Sequence, residues 1–124
     1  MTHANGAPDQ TTRELTAIFE TDAIGIAVVV DDAMVRCNRR LEEILGAQPG
    51  TLVGQGTRQF YKSPADYQQA VQAMEGVFAA GGVYHHEQQA QRLDGQTVWL
   101  RLSGSVLNPD RMQDGVVWWV QDMS

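Results

Sequence analysis

Residues 92–104, RLDGQTVWLRLSG, contain the pattern that decides the fold of this chain. The pair Asp94–Gly95 is typical of a tight hairpin turn, because both residues tolerate the positive φ angles that such turns need. Beyond the turn, every second residue is apolar, which is the period of a strand with one buried face. The alternating residues are Val98, Leu100, Leu102 and Val106. The stretch predicts two antiparallel strands, Val83 to Leu93 and Thr97 to Val106, joined by the turn.

Three further strands are predicted on either side of this hairpin. Ile24–Val30 is rich in β-branched residues and closes at Asp31–Asp32, after which Met34 to Cys37 returns. Val116 to Val120 follows a polar connection from Asn108 to Gly115 and supplies the last strand.

Capping residues and apolar stripes predict the helices. Asn38 caps a short helix that ends at Gly46, and Pro49 opens a second short helix through Val53. A loop over 54–61 leads to Ser63, which caps the longest helix, and Gly81–Gly82 end it. The stripe of the first helix is Leu41, Ile44 and Leu45, and that of the longest is Tyr67, Val71, Met74 and Phe78.

The segment 11–21 is predicted to form another helix, after a polar leader over residues 1–10. Its apolar stripe is Leu15, Ile18 and Phe19. The order of elements indicates an α+β fold, with one antiparallel sheet whose helices cover one face and an N-terminal flanking helix.

Composition limits the classes of function. The 124 residues fit one domain, and 43% apolar with 19% charged residues is ordinary for a soluble protein. The net charge of −6 opposes contact with nucleic-acid phosphates and with anionic membranes. The single cysteine, Cys37, excludes an internal disulfide and multi-cysteine zinc sites. The longest apolar run, Ala23 to Val30, is too short to span a bilayer, so we expect a cytoplasmic protein.

Several motifs, in this order, resemble those of a PAS domain of the bacterial S-box type. They are Asn38 at the opening of the first helix, Leu45-Gly46, Leu52-Val-Gly54, Arg92-Leu-Asp-Gly95, Trp99-Leu-Arg-Leu-Ser-Gly104 and the closing Gln121-Asp-Met-Ser124. The resemblance covers nearly all of residues 22–124 and implies a PAS-like five-stranded antiparallel sheet that cups helices around a small internal cavity. Residues 1–21 are then the leader and flanking helix. In this family the closing motif passes a signal to a linked output domain, such as a diguanylate cyclase, a histidine kinase or a helix-turn-helix regulator.

The resemblance also bears on cofactors. Flavin-binding LOV members carry a reactive cysteine where this chain has Thr57, and a glutamine where it has Val120. A hydroxyl does not add to flavin as a thiolate does. Haem-binding members place a histidine on the long helix, and residues 64–80 contain none. We therefore expect neither flavin nor haem, and the identity of the ligand stays open.

His85-His86-Glu87 is the group most suggestive of metal or acid–base chemistry. Adjacent strand residues point to opposite faces, so the two histidines do not share an ion, and His85 with Glu87 gives too few ligands. Cys37 is expected to be a small core residue. We find no nucleophile with a base, no phosphate loop and no metal spacing, so the domain is predicted not to be an enzyme.

The expected cavity has two polar anchors. If Tyr84, His86, Gln88 and Ala90 share the inward face of their strand, His86 and Gln88 need hydrogen bonds from each other, from water or from a ligand. Around them the predicted apolar wall consists of Phe60, Tyr67, Met74, Phe78, Leu100, Leu102 and Trp118.

Three functions compete at this point. The first is a sensory input domain that binds a small molecule. The second is a ligand-free dimerisation module. The third is an enzyme of another cupped α+β fold that uses His86.

A homodimer is expected through the outer face of the sheet. Trp99 and Trp119 are predicted to lie on that face, where two exposed indoles form a patch that monomers seldom leave in water. The helix over 11–21 is the nearest element to cover it, either from a second copy or by folding back on its own sheet.

Overall fold

Five antiparallel strands form one sheet in the computed structural model, which describes residues 23–108 and 110–124. Along the chain they are β1 (Gly25–Val30), β2 (Ala33–Cys37), β3 (Tyr84–Gln91), β4 (Thr97–Val106) and β5 (Val116–Asp122). Their order across the sheet is β2-β1-β5-β4-β3. This confirms the predicted fold class. The predicted leader and the helix over 11–21 lie outside the described residues.

Two α-helices connect the N-terminal strand pair to the C-terminal three strands. They are α1 (Arg39–Leu45) and α2 (Pro64–Ala79), with a short 3-10 helix at Arg58–Phe60 between them. Another 3-10 turn, Met112–Asp114, precedes β5. The core lies between the helices and one face of the sheet, where Leu41, Ile44 and Leu45 of α1 pack against inward residues of β1, β4 and β5.

The register of the sheet decides which side chains face the core. Leu102 pairs with Val120 and Gly104 with Trp118 across β4 and β5, so these four residues share one face. On β3, Gln88 pairs with Leu100 and therefore joins the same inward row. A slip by one residue would turn this whole set outward.

Asn38 joins α1 to the sheet. Its Oδ1 accepts hydrogen bonds from the backbone N–H groups of Leu41 at 3.0 Å and Ile26 at 2.9 Å, and its Nδ2 donates to the carbonyl of Ile24 at 2.9 Å. The predicted helix cap is confirmed. The bonds to Ile26 of β1 and to Ile24 just before that strand are an additional role that the capping pattern did not indicate.

Arg92 anchors the β3–β4 hairpin to the end of α1. Its guanidinium donates to the carbonyls of Glu43 and Ile44 at 3.1 and 3.0 Å and pairs with Asp94 at 3.1 Å. The hydrogen bond from Arg92 lowers the pKa of the Asp94 carboxyl. Gly46 ends α1 with a φ of 70°, as predicted, and a side chain there would press on the same guanidinium.

The prediction of a second short helix from Pro49 through Val53 is wrong. This stretch forms turns. Gly50 takes a φ of 79°, in the left-handed region, which interrupts a right-handed helix. Its N–H donates to the Glu42 carboxylate at 2.6 Å, which holds the turn against α1.

Candidate functional site

A cavity of about 220 Å³ lies between the sheet and the helices. Strands β1, β4 and β5 supply its floor, α1 and α2 supply its roof, and residues near the 3-10 helix line one end. The wall is apolar apart from a few hydroxyl, amide and carboxylate groups at its margins.

Seven of the nine predicted site residues line this cavity. They are Phe60, Tyr67, Met74, Gln88, Leu100, Leu102 and Trp118. They come from strands and helices far apart in the sequence, and the alternation on β4 and the stripe on α2 were the signals that identified most of them.

His86 and Phe78 lie elsewhere. His86 is half-buried on the predicted face of β3, but its ring stacks on Tyr84 at 5.9 Å and lines a separate outer recess between α2 and β3. Phe78 packs edge-on against Trp118 and Tyr84, both with ring centroids 6.5 Å away, and so supports the wall from behind. Neither is among the described lining residues of the cavity, because both pack with Tyr84 at that end of the strand.

Gln88 lies on the inward face of β3, as the alternation of the strand predicts. It is half-buried, yet its Oε1 is buried and has no hydrogen-bond partner among the described residues. A buried carbonyl oxygen without a donor is uncommon in native proteins, since its lost hydration is not replaced. Gln88 itself lines the cavity, so a turn of its amide toward that space would offer this oxygen to a hydrogen-bond donor there.

A second polar group at the cavity was missed by sequence reasoning. Asp32, which the pattern explained only as a turn residue, accepts hydrogen bonds from the hydroxyls of Thr57 and Tyr67, the latter at 2.6 Å. Arg58 pairs with the same carboxylate at 3.4 Å, and its guanidinium lies 4.9 Å from the centre of the Tyr67 ring. These contacts tie the β1–β2 turn to α2 and satisfy the carboxylate within the protein.

Tyr61 and Gln88 form the partition between the cavity and the outer recess, because both residues line both spaces. The Tyr61 ring packs edge-on to Tyr67 with centroids 5.3 Å apart. Burial raises the pKa of the Tyr61 phenol well above its usual value, so the group is neutral and able to donate a hydrogen bond at physiological pH.

The other residues considered for metal binding or catalysis have structural roles. Glu87 pairs with Arg101 at 3.4 Å, and His85 Nδ1 lies 3.0 Å from the Ser103 hydroxyl. No group of three or more potential metal ligands occurs within the described residues. Cys37 packs against the core, and burial followed by the nearby Glu42 charge raises the pKa of its thiol, which disfavours a nucleophilic role.

The outer face of the sheet carries the two tryptophans at the predicted positions. Trp119 pairs with Ser103, and Trp99 lies four residues earlier on the same face of β4. Trp99 is 41% exposed and Trp119 is half-buried. Across the described part of the chain, no helix has the length and apolar character needed to cross a membrane.

Known proteins of similar sequence and structure include a sensor protein and isolated PAS domains. Sensor protein TdiS of Thauera aromatica is 29% identical over 107 residues, which cover 86% of this chain and 20% of that protein. The chain thus spans about a fifth of that relative. A PAS domain of a LuxR-family transcriptional regulator from Burkholderia thailandensis, solved in complex with ethanol, superposes with a TM-score of 0.78 at 22% identity. The match covers 87% of this chain and 96% of that one.

A PAS domain from Colwellia psychrerythraea gives a TM-score of 0.79 at 16% identity, covering 91% of this chain and 97% of that one. At such identities these two structures support the assignment of the fold alone. The sequence model of the family described as PAS fold matches residues 34–121, which is well over half of the chain. Together with the sheet order and the helices that cover one face, this match establishes that the chain belongs to the PAS-fold family.

Proposed function

We propose that the chain is the small-molecule-binding sensory domain of a larger bacterial signalling protein. The observation that carries this proposal is the apolar cavity of about 220 Å³, whose lining includes Gln88 with an amide oxygen that has no partner among the described residues. Ligand pockets commonly combine an apolar wall with a few polar groups that fix orientation. The similar domain from Burkholderia thailandensis, solved in complex with ethanol, supports small-molecule binding within this fold.

The size of the cavity argues against the larger cofactors. A cavity of about 150 Å³ holds one benzene ring. A space of about 220 Å³ therefore lacks room for the three fused rings of a flavin or for haem. With Thr57 and Val120 at the two flavin-determining positions, the domain is a sensor of a small ligand rather than of blue light.

We propose that this domain lies in the cytoplasm and that the parent protein also carries an output domain. The matched region makes up only 20% of the sensor protein TdiS, and the Burkholderia domain belongs to a transcriptional regulator. The net charge of −6 keeps nucleic-acid and membrane contacts away from this domain. Any enzymatic activity then belongs to the output domain, since His86 lies outside the cavity and no other histidine is among its described lining residues.

A homodimer through the outer face of the sheet is the second part of the proposal. The exposed Trp99 and the half-buried Trp119 supply the apolar contact, and Leu15, Ile18 and Phe19 of the segment 11–21 are its expected partners. Sedimentation at micromolar concentrations tests this, and a monomer for the intact chain would contradict it. A ligand-free dimerisation module is the alternative if the cavity binds nothing.

Native mass spectrometry of the purified chain tests the sensory proposal. A defined additional mass that is released on denaturation is expected, either as purified or after incubation with a bacterial metabolite extract. Val71→Phe should abolish it, because Val71 lines the cavity and the larger ring occupies part of that volume. Val53→Phe is the matched control, since Val53 is half exposed and away from the cavity. No bound mass in any preparation, or equal binding by both variants, would contradict small-molecule binding in the cavity.

A further inference from the structure

The wall of the cavity determines the charge of what it can hold. No lysine, arginine or histidine lies among its described lining residues. Its one carboxylate there, Asp32, already accepts two hydroxyl hydrogen bonds and pairs with Arg58. An anionic ligand would meet no compensating cation, and burying an unpaired charge is costly. The cavity is therefore suited to a neutral molecule.

The volume sets the size of that molecule. An apolar cavity of about 150 Å³ binds benzene, which has six heavy atoms. At the same filling, the cavity of about 220 Å³ holds roughly nine heavy atoms. This corresponds to one ring with a short substituent.

Gln88 determines where the polar group of the ligand lies. Its Oε1 is a pure acceptor, it is buried, and it lacks a donor among the described residues. The residue faces Leu100 across β3 and β4, so the amide borders the apolar floor. When the amide turns toward the cavity that Gln88 lines, a ligand with a hydroxyl or N–H group would satisfy this oxygen, whereas a molecule without a donor would leave it unpaired.

We propose that the cavity binds a neutral, largely apolar molecule of roughly nine non-hydrogen atoms whose hydroxyl or N–H group donates a hydrogen bond to Gln88 Oε1. This inference rests on the proposed sensory function and specifies the chemistry that the same cavity recognises. Gln88 acts as the selectivity residue, and the apolar wall supplies most of the affinity.

Three probes of similar size test the proposal on the full 124-residue chain. They are 4-ethylphenol, which is neutral at pH 7 and carries one donor; 1-ethyl-4-fluorobenzene, in which fluorine replaces the hydroxyl; and benzoate, which is anionic. Titrations are followed by amide NMR shifts, which give the affinity and also locate the bound probe. The phenol is expected to bind at least about threefold tighter than its fluorinated counterpart, and benzoate is expected not to bind.

The variant Gln88→Met retains the length and unbranched shape of the side chain but removes the acceptor. It should abolish the preference of at least about threefold for the phenol over the fluorinated probe, because the phenol hydroxyl is then buried without a partner. Gln89→Met is the matched control, since Gln89 is the next residue on β3 and faces the opposite, exposed side. It should keep the preference of the unsubstituted chain.

The outcomes separate the two levels of the argument. Cavity amides that respond to both neutral probes, with no phenol preference or with a preference that survives Gln88→Met, would overturn the role of Gln88 and leave the sensory function intact. Benzoate bound as tightly as the phenol would overturn the requirement for a neutral ligand. Cavity amides that respond to none of the probes would overturn the inferred ligand chemistry, and the additional absence of any bound mass in native mass spectrometry would contradict the proposed sensory function itself.

Discussion

Gly104 provides a sharp test of how the cavity wall is built. It lies on β4 directly across from Trp118, and the indole packs over the place where a side chain would start. A Cβ atom at position 104 would lie 2.6 to 2.8 Å from three ring atoms of Trp118. Carbon atoms pack at about 3.5–4.0 Å, so Gly104→Ala requires the ring to move by roughly 1 Å.

The cost of that movement follows from what holds the ring. Trp118 is packed edge-on against Phe78 and Tyr84, with centroids 6.5 and 6.0 Å away, so the shift disturbs an aromatic cluster. Overpacking of this kind costs about 1–3 kcal/mol, and the loss of glycine flexibility in the unfolded chain offsets up to about 1 kcal/mol. We expect a net loss of about 1–2 kcal/mol, which for a domain of this size lowers Tm by roughly 4–8 °C.

Thermal and urea unfolding measure this loss, with Gly76→Ala as the control. Gly76 lies within α2, is exposed, and has no neighbouring atom within 4 Å of the position that an alanine methyl group would take. Alanine there should stabilise the chain by about 0.5–1 kcal/mol. In a Trp118→Leu background, Gly104→Ala should cost less than about 0.5 kcal/mol, because the clashing ring atoms are absent. An equal cost in both backgrounds would refute the steric explanation.

Three further predictions follow from other contacts. Asn38→Ala should lower the free energy of unfolding, measured in urea, by about 2–4 kcal/mol, because Asn38 is 4% exposed and bonds three backbone groups. Ser63→Ala removes one exposed cap bond and should lower it by about 1 kcal/mol or less. Burial is the main cause that raises the pKa values of all three tyrosines in the folded chain. The stability they contribute should therefore be full below about pH 10 and fall above it, because the phenols of the unfolded chain ionise first. Phenolate absorbance should rise together with the loss of near-UV circular dichroism, and ionisation of the tyrosines near pH 10 in the still-folded chain would contradict this. Iodoacetamide should alkylate Cys37 at about pH 8 at least threefold more slowly in the folded chain than in urea, because the raised thiol pKa lowers the thiolate fraction, and equal rates would contradict the assignment of Cys37 to the core.

Most elements of the fold could be predicted from patterns that extend over only a few residues. The Asp94–Gly95 turn and the alternation after it specify the β3–β4 hairpin, since turn geometry and a period of two act over a few residues. Asn38 and Gly46 bound α1 for the same reason, because capping depends on adjacent backbone groups. The helix predicted from Pro49 is wrong because proline is equally suited to a helix start and to a turn. The positive φ of Gly50 is compatible with the turn and not with the helix.

Side-chain direction was predictable, but what each side chain meets was not. His86 and Gln88 lie on the face of β3 that the alternation predicts. Only Gln88 reaches the cavity, because Tyr84 stacks on the His86 ring and draws it to the recess. Asp32 was missed since its partners, Thr57 and Tyr67, are 25 and 35 residues away in the sequence. Such contacts depend on the path of the whole chain.

The cavity itself is harder to predict than any of its walls, because it is a small difference between large volumes. Leu100, Leu102 and Val120 have the same inward pattern whether the space above them is filled or open. Whether it stays open depends on how far large side chains such as Trp118 extend, and that distance is set here by a glycine on the neighbouring strand. Interiors are packed closely enough that one methyl group alters such a space. The glycine at 104 thus lets the indole of Trp118, which lines the cavity, lie against the sheet, and a side chain there would force that ring to move.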